Sequence, residues 1–298
     1  MDCKTLLILN RKSAARPDVR SAVRPLEKEL GLEIAIPWSG KQLRKTIHKH
    51  LAKGVTRFVA GGGDGTLNAV TSALLRCDAG PTIVLGLMPL GTANDFARSY
   101  GDDGSDLSAS LVQAATGRAR SIDIGSINGR PFVNVASGGF GAMITATTPK
   151  EVKRRLGGLA YTLTGLARVS ELKPTQAMIA LDGSEHNWAS VSALVIGNNR
   201  FAGGGFEVTP EADMFDGLLD LGVLTTDEWP PANLSFGNFP DLSDPIAGLV
   251  KRSRFKHAVL ETETPFHLNL DGEPMVDTRF EISVLPGRLS FALPSTGS

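Results

Sequence analysis

Three adjacent glycines, Gly61, Gly62 and Gly63, followed at once by Asp64-Gly-Thr66, constrain this chain more than any other feature. They follow the apolar run Arg57-Phe-Val-Ala60 and precede Thr66–Leu75, a segment of helix-forming composition. A strand that runs into glycines and out into a helix suits a phosphate. Residues without a Cβ let consecutive amides turn toward an anion, and the helix adds its positive N-terminal end. The loop is not a Walker A motif, since no Gly-Lys-Ser/Thr follows. It is not the dinucleotide fingerprint either, since the sixth residue counted from Gly61 is Thr66. Asp64 would repel a bare phosphate and fits better as an acceptor for loop amides, a metal or a nucleotide hydroxyl. Thr66 suits a helix cap or a phosphate contact. The bland alternative is a tight strand-to-helix turn.

Around this loop, strand-like and helix-like segments alternate through residues 1–125, the pattern of parallel α/β packing. Strands are expected at Thr5–Asn10, Glu33–Pro37, Arg57–Ala60 and Thr82–Met88. Helices are expected at Val19–Leu30, Lys41–Lys53, Thr66–Leu75 and from about Thr92. After Ser121 the texture changes to short β-rich runs at Ile122–Ile127, Pro131–Ala136, Gln176–Leu181, Ser190–Ile196, Leu218–Leu224, Pro265–Leu270 and Phe280–Leu285. One helix, about Pro149–Ser170, interrupts them. The fold expected is therefore a Rossmann-like α/β domain with a parallel sheet over residues 1–125, then an all-β sandwich over residues 126–285. Whether Arg288–Leu293, within residues 286–298, returns to the first domain is left open by the sequence.

A second loop, Met88-Pro-Leu-Gly-Thr-Ala-Asn-Asp-Phe96, repeats the strand–loop–helix geometry, and Thr92 with Asp95 has the spacing of a capping-box variant. Two such loops converge on a nucleotide cleft. Farther on, Asp213 and Asp216 with Gly217 suit either a Mg²⁺ or Ca²⁺ loop or an ordinary turn before a strand. Asp271 and Glu273 close the alternating run His267-Leu-Asn-Leu270, as a hairpin turn or as the positioned carboxylate that phosphoryl transfer to an alcohol needs. His48, His50, His186, His257 and His267 form no metal-spaced set.

Composition removes several classes. The 298 residues carry formal net charge +0, against the basic excess of most nucleic-acid binders. Two cysteines, Cys3 and Cys77, are too few for a disulfide framework or a cysteine zinc site. No apolar run reaches the ~18–20 residues of a membrane span, so membrane contact is expected to be peripheral; the low cysteine count suits a reducing compartment, and the chain is expected to be cytoplasmic. The basic runs Lys150–Arg155, Lys251–Lys256 and Lys41–Lys53, and the aromatic stretch Trp229–Phe239, are open to two readings: ordinary surface, or a footprint on anionic lipid.

The Gly-Asp-Gly-Thr loop, Pro89-Leu-Gly-Thr-Ala-Asn-Asp-Phe96 and Leu270-Asp-Gly-Glu273, in this order and over nearly the whole chain, resemble the diacylglycerol-kinase catalytic-domain family, and most of all its bacterial YegS-like lipid kinases. The resemblance implies ATP in a cleft between the two domains. It implies nucleotide contacts from Gly63, Asp64, Gly65, Thr66, Leu67, Asn68, Ala69 and Thr92. It implies Glu273 as proton acceptor with Asp271 as a second catalytic carboxylate, and Mg²⁺ held by Asp213, Asp216 and the Leu218 carbonyl. The acceptor implied is a lipid hydroxyl at a membrane surface: phosphatidylglycerol first, then diacylglycerol or a sphingoid base. Pro37 before Trp38 departs from the threonine that the family carries there, and Asp213 stands where relatives can have an apolar residue. A nicotinamide-dinucleotide kinase shares the glycine loop, but its Thr-Ala-Tyr and Ser-Ala-Gly-Gly blocks are missing. A non-catalytic ATP- or lipid-binding regulator is the remaining alternative.

Overall fold

The computed structural model describes residues 5–139, 174–184, 188–225 and 251–294. They form two compact units, one of residues 1–124 and 285–298 and the other of residues 125–284. The expected helix at about Pro149–Ser170, the basic residues Lys150–Arg155, His186 and the stretch Trp229–Phe239 lie outside the described residues.

The first unit is built on parallel strands. Strand β1 (Thr5–Leu9) pairs with β2 (Leu32–Ala35) and β3 (Arg57–Gly62), and β3 pairs with β4 (Val84–Pro89), every pair parallel. Strands β1, β3 and β4 read as near-continuous apolar runs because both faces are covered, whereas β2 lies at the sheet edge and exposes Glu33 and Ile34. Helices α2 (Pro17–Glu29) and α6 (Leu107–Thr116) enclose Leu7, Leu9, Val59 and Met88. Helices α3 (Gly40–Ala52) and α4 (Asp64–Leu75) pack on each other. The chain returns at its end. The last part of β15 (Glu273–Leu293) pairs parallel with β4, Ser290 opposite Val84 and Phe291 opposite Leu85. Phe291 meets Phe96 edge-on at 4.7 Å and Tyr100 at 5.8 Å, all within this unit. Burial, with Asp102 and Asp64 adding to it, pushes the Tyr100 phenol well above its ordinary value, so it packs as a neutral group.

In the second unit every described pairing is antiparallel. The order runs β13 (Lys251–Phe255), β12 (Leu219–Thr225), β9 (Trp188–Gly197), β7 (Val135–Gly138), β14 (His257–Leu270), β15. Strand β8 (Thr175–Leu181) pairs with β9 and β14, and the short strands β10 (Phe201–Ala202) and β11 (Phe206–Glu207) pair with each other. Strand β6 (Arg130–Phe132) pairs with the end of β5 (Arg118–Ile127). The buried side chains, among them Phe132, Ile196, Leu219, Phe255, Leu260 and Phe280, form one core.

Three local expectations are corrected. The helix foreseen from Thr92 is two elements, a single turn α5 (Asp95–Arg98) and α6, because Gly101 and Gly104 adopt positive φ between them. The run Pro131–Ala136 breaks into β6 and β7 because the amides of Val133 and Asn134 donate to Asp271 instead of a neighbouring strand. The helix expected from Thr66 starts at Asp64, which puts Thr66 inside its first turn.

Phe291 fills the space between Phe96 and Tyr100, so Phe291→Ala should cost ~3–5 kcal/mol. Denaturant unfolding checks this, and a loss below ~1 kcal/mol would show that the returning strand does not anchor the second loop.

Candidate active site

The carboxyl ends of β1, β3 and β4 lie side by side, with Leu9 opposite Gly61 and Gly62 opposite Pro89. This is the edge of a parallel sheet where ligands gather. Gly63 caps α4 with extended backbone and no side-chain cap, while the amides of Thr66 and Leu67 donate to its carbonyl at 2.8 and 3.1 Å. The Leu90 amide donates to the Gly62 carbonyl at 2.9 Å, carrying the pairing one residue beyond the strands.

The glycines do different jobs. A Cβ on Gly63 would lie 2.9 Å from the Gly91 Cα, and one on Gly91 would lie 2.6 Å from the Gly63 Cα. The two loops therefore touch backbone to backbone, a separation only glycine permits. A Cβ on Gly62 would collide with Thr66 at 2.1 Å. Gly65 differs, because it is exposed and a Cβ there would meet nothing within 4 Å. Packing does not require glycine at that position. It leaves open space over the first turn of α4, where an anion can approach the backbone.

Asp64 is the joint between the loops. Its carboxylate accepts the Asp95 amide at 3.2 Å and the Phe96 amide at 3.0 Å, the first amides of α5. This replaces the capping box expected from Thr92 and Asp95. The N-cap of α5 is Asn94, in left-handed backbone, and its own side chain turns back to Gly91, accepting the amide at 2.8 Å and donating to the carbonyl at 3.2 Å. Thr92 is left exposed in the loop. Of the other residues singled out by sequence, Leu67 is fully buried and serves the core, and Ala69 is exposed on α4. Asn68 is buried at the start of the helix, and its Oδ1 finds no hydrogen-bond partner among the described residues.

Sequence reasoning passed over three neighbours. Asn10, at the end of β1, caps α1 (Arg11–Ala14) and donates to the Thr66 hydroxyl at 3.0 Å. Arg16 donates to the Leu90 carbonyl at 3.2 Å, and Arg98 to the Ala93 carbonyl at 2.9 Å, so two guanidinium groups flank the second loop. An asparagine closing an apolar strand was the available signal for the first; the arginines carried none. Beyond Pro37, Trp38 is 76% exposed with the Arg11 guanidinium 5.6 Å from its ring centroid.

In the second unit Asp271 and Gly272 have positive φ, +48° and +96°, and Leu270 pairs with Glu273. This is the two-residue hairpin that Asp-Gly favours. The Asp271 carboxylate accepts the amides of Val133 at 2.6 Å and of Asn134 and Val135 at 3.0 Å each. Those three donors tie the Asp271 carboxylate to the start of β7 and hold the turn in place. Buried Asn134, Asn198 and Asn199 extend the support: Asn198 donates to the Val133 carbonyl at 2.9 Å and Asn199 to the Asn134 side chain at 3.3 Å. An Asn-Asn pair after a strand was the overlooked signal. Glu273 stands exposed at the first position of β15.

The expected metal residues are bonded otherwise. The Asp213 Oδ1 accepts the Phe215 amide at 3.1 Å, and the Asp216 Oδ1 accepts the Leu218 amide at 2.9 Å. The other Asp216 oxygen is ion-paired with Arg254. Among the described residues no group of three His, Cys, Asp or Glu is arranged to hold a metal. The Asp213 and Asp216 carboxylates as placed are engaged by amides and a guanidinium and are not grouped as a divalent ion's ligands.

These contacts separate fold from ligand at the glycine loop. Gly65→Ala should leave unfolding unchanged or gain ~0.5–1 kcal/mol in the helix, yet raise the KM for nucleotide at least tenfold; an unchanged KM would remove the phosphate role. Gly63→Ala and Asp64→Ala should both destabilise the first unit, the second by ~1–2 kcal/mol as a lost cap, measured by denaturant titration.

Residues 4–127 match the diacylglycerol kinase catalytic domain, and residues 134–293 match the YegS C-terminal NAD kinase beta sandwich-like domain. A Pseudomonas aeruginosa PAO1 protein named "probable lipid kinase YegS-like" is 39% identical over 295 residues, 98% of this chain and 95% of its own length. The Escherichia fergusonii protein named "probable lipid kinase YegS" is 38% identical over 97% of this chain and 96% of its own. Among solved structures, a diacylglycerol kinase from Bacillus anthracis superposes with TM-score 0.73 at 23% identity, covering 98% of this chain and 97% of that one. An Archaeoglobus fulgidus NAD kinase in complex with ATP superposes with TM-score 0.52 at 13% identity, covering 97% and 93%. The domain pair, its order and the full-length identity place this chain in the diacylglycerol kinase catalytic-domain family, in its YegS-like branch.

Proposed function

We propose that this chain is an ATP-dependent lipid kinase that transfers the γ-phosphoryl group to a lipid hydroxyl, with phosphatidylglycerol as acceptor ahead of diacylglycerol or a sphingoid base. The observation that carries the nucleotide half is the open face at Gly65, framed by two glycine loops that Asp64 fastens together. The lipid half rests on the names of the full-length relatives.

In this assignment the exposed backbone at Gly65 and the positive end of α4 hold the phosphates, with Arg16 and Arg98 close to the second loop. Glu273 takes the proton of the acceptor hydroxyl as its oxygen forms a bond to the γ-phosphorus. The bond from that phosphorus to the bridging oxygen breaks, and ADP leaves with the electron pair. Asp271 fixes the turn that presents Glu273. Mg²⁺ carried on the triphosphate supplies charge neutralisation when bound. The acceptor is met by peripheral contact with the cytoplasmic face of a membrane; no described helix is long and apolar enough to cross one.

One incubation with γ-labelled ATP and Mg²⁺ against separate panels of phospholipid, neutral lipid and NAD tests the assignment. Label is expected in phosphatidylglycerol; label in NAD and in no lipid would replace lipid kinase with dinucleotide kinase. Glu273→Ala should lower kcat ~10²–10⁴-fold with an unchanged melting temperature, because its side chain is exposed. A near-native rate would exclude it as the proton acceptor.

A further inference from the structure

The loop at residues 211–218 is acidic, with Glu211, Asp213 and Asp216, and Asp220 follows it in β12. Antiparallel pairing of β12 with β13 sets Arg254 directly opposite Asp220. From there one guanidinium serves three oxygens. Its Nε lies 3.5 Å from the Asp220 carboxylate, and its Nη2 donates to the Asp216 carboxylate and to the Glu211 carbonyl, the last at 3.3 Å. Asp220 is 8% exposed, and one oxygen, Oδ2, has no hydrogen-bond partner among the described residues beyond this ion pair. Burial pushes its carboxyl above the usual range while Arg254 draws it back.

Two carboxylates and a backbone carbonyl are the oxygens a hard divalent ion would gather. Here they gather around a cation carried by the chain. Arginine stays charged at any pH the protein meets, and its fork reaches several acceptors at once. We infer that Arg254 is a built-in cation that takes the place of a divalent ion at the 211–220 loop, so that this loop is ordered without Mg²⁺ or Ca²⁺. The inference rests on the family assignment of that loop and is independent of which acceptor is phosphorylated. The ion it replaces is distinct from any Mg²⁺ that travels with ATP.

Calorimetric melting without nucleotide tests it, so the kinase reading can fail separately. The native chain should melt at the same temperature in EDTA, in about 5 mM MgCl₂ and in about 5 mM CaCl₂, enough to fill even a weak site of ~10⁻³ M. Arg254→Met should lower Tm by about 4 °C or more, and Ca²⁺ should recover the loss. Adding Asp216→Asn to that variant should abolish the recovery. A native chain whose Tm rises with either ion, with Asp216→Asn removing the rise, would overturn the inference. So would an Arg254→Met protein that ignores both ions. Should that variant not fold, Arg254→Gln, which keeps a neutral donor and both carboxylates, takes its place. Recovery of its Tm by Ca²⁺ would then support the inference, and indifference to Ca²⁺ would overturn it.

Discussion

The Asp64 carboxylate is the contact on which the nucleotide half of this molecule depends. It belongs to the first residue of one helix and closes the amides of another, Asp95 and Phe96. A negative charge at a helix start is favoured by the local dipole, so both helix ends gain from one group. A charge that a plain anion site would avoid is thus tolerated, because the oxygens are committed to backbone before any phosphate arrives. Phe96, fixed by the same contact, reaches into the cluster with Tyr100 and Phe291. The final strand thereby supports the second loop from below.

Much of the first unit could be read from the chain. Leu6, Leu7 and Ile8 are wholly buried, as a continuous apolar run in a parallel sheet demands, and Leu43 and Ile47 lie on the buried face of α3 as their spacing requires. Boundaries failed where a distant group decided them. Thr92 with Asp95 satisfied a local capping rule, yet a carboxylate thirty-one residues away won the amides. The break between β6 and β7 was invisible for the same reason, since Asp271 captures amides 136–138 positions earlier. Sequence spacing reports local competition well and cannot weigh a partner it does not see.

The acids of the second unit show the same limit in another form. Asp213, Asp216 and Asp271 are all short carboxylates in glycine-containing turns, and composition alone cannot tell a ligand from a turn. The partners they have are amides for Asp271 and Asp213, and an amide and a guanidinium for Asp216. Glu273 differs from them in standing exposed at the head of its strand.

The backbone contact between Gly63 and Gly91 has a consequence for how the two loops respond to change. Each loop is shaped to the bare Cα of the other, so neither tolerates a partner that differs by one methyl group. A Cβ at either position therefore displaces the backbone of the other loop, so a change made at one loop is felt at both.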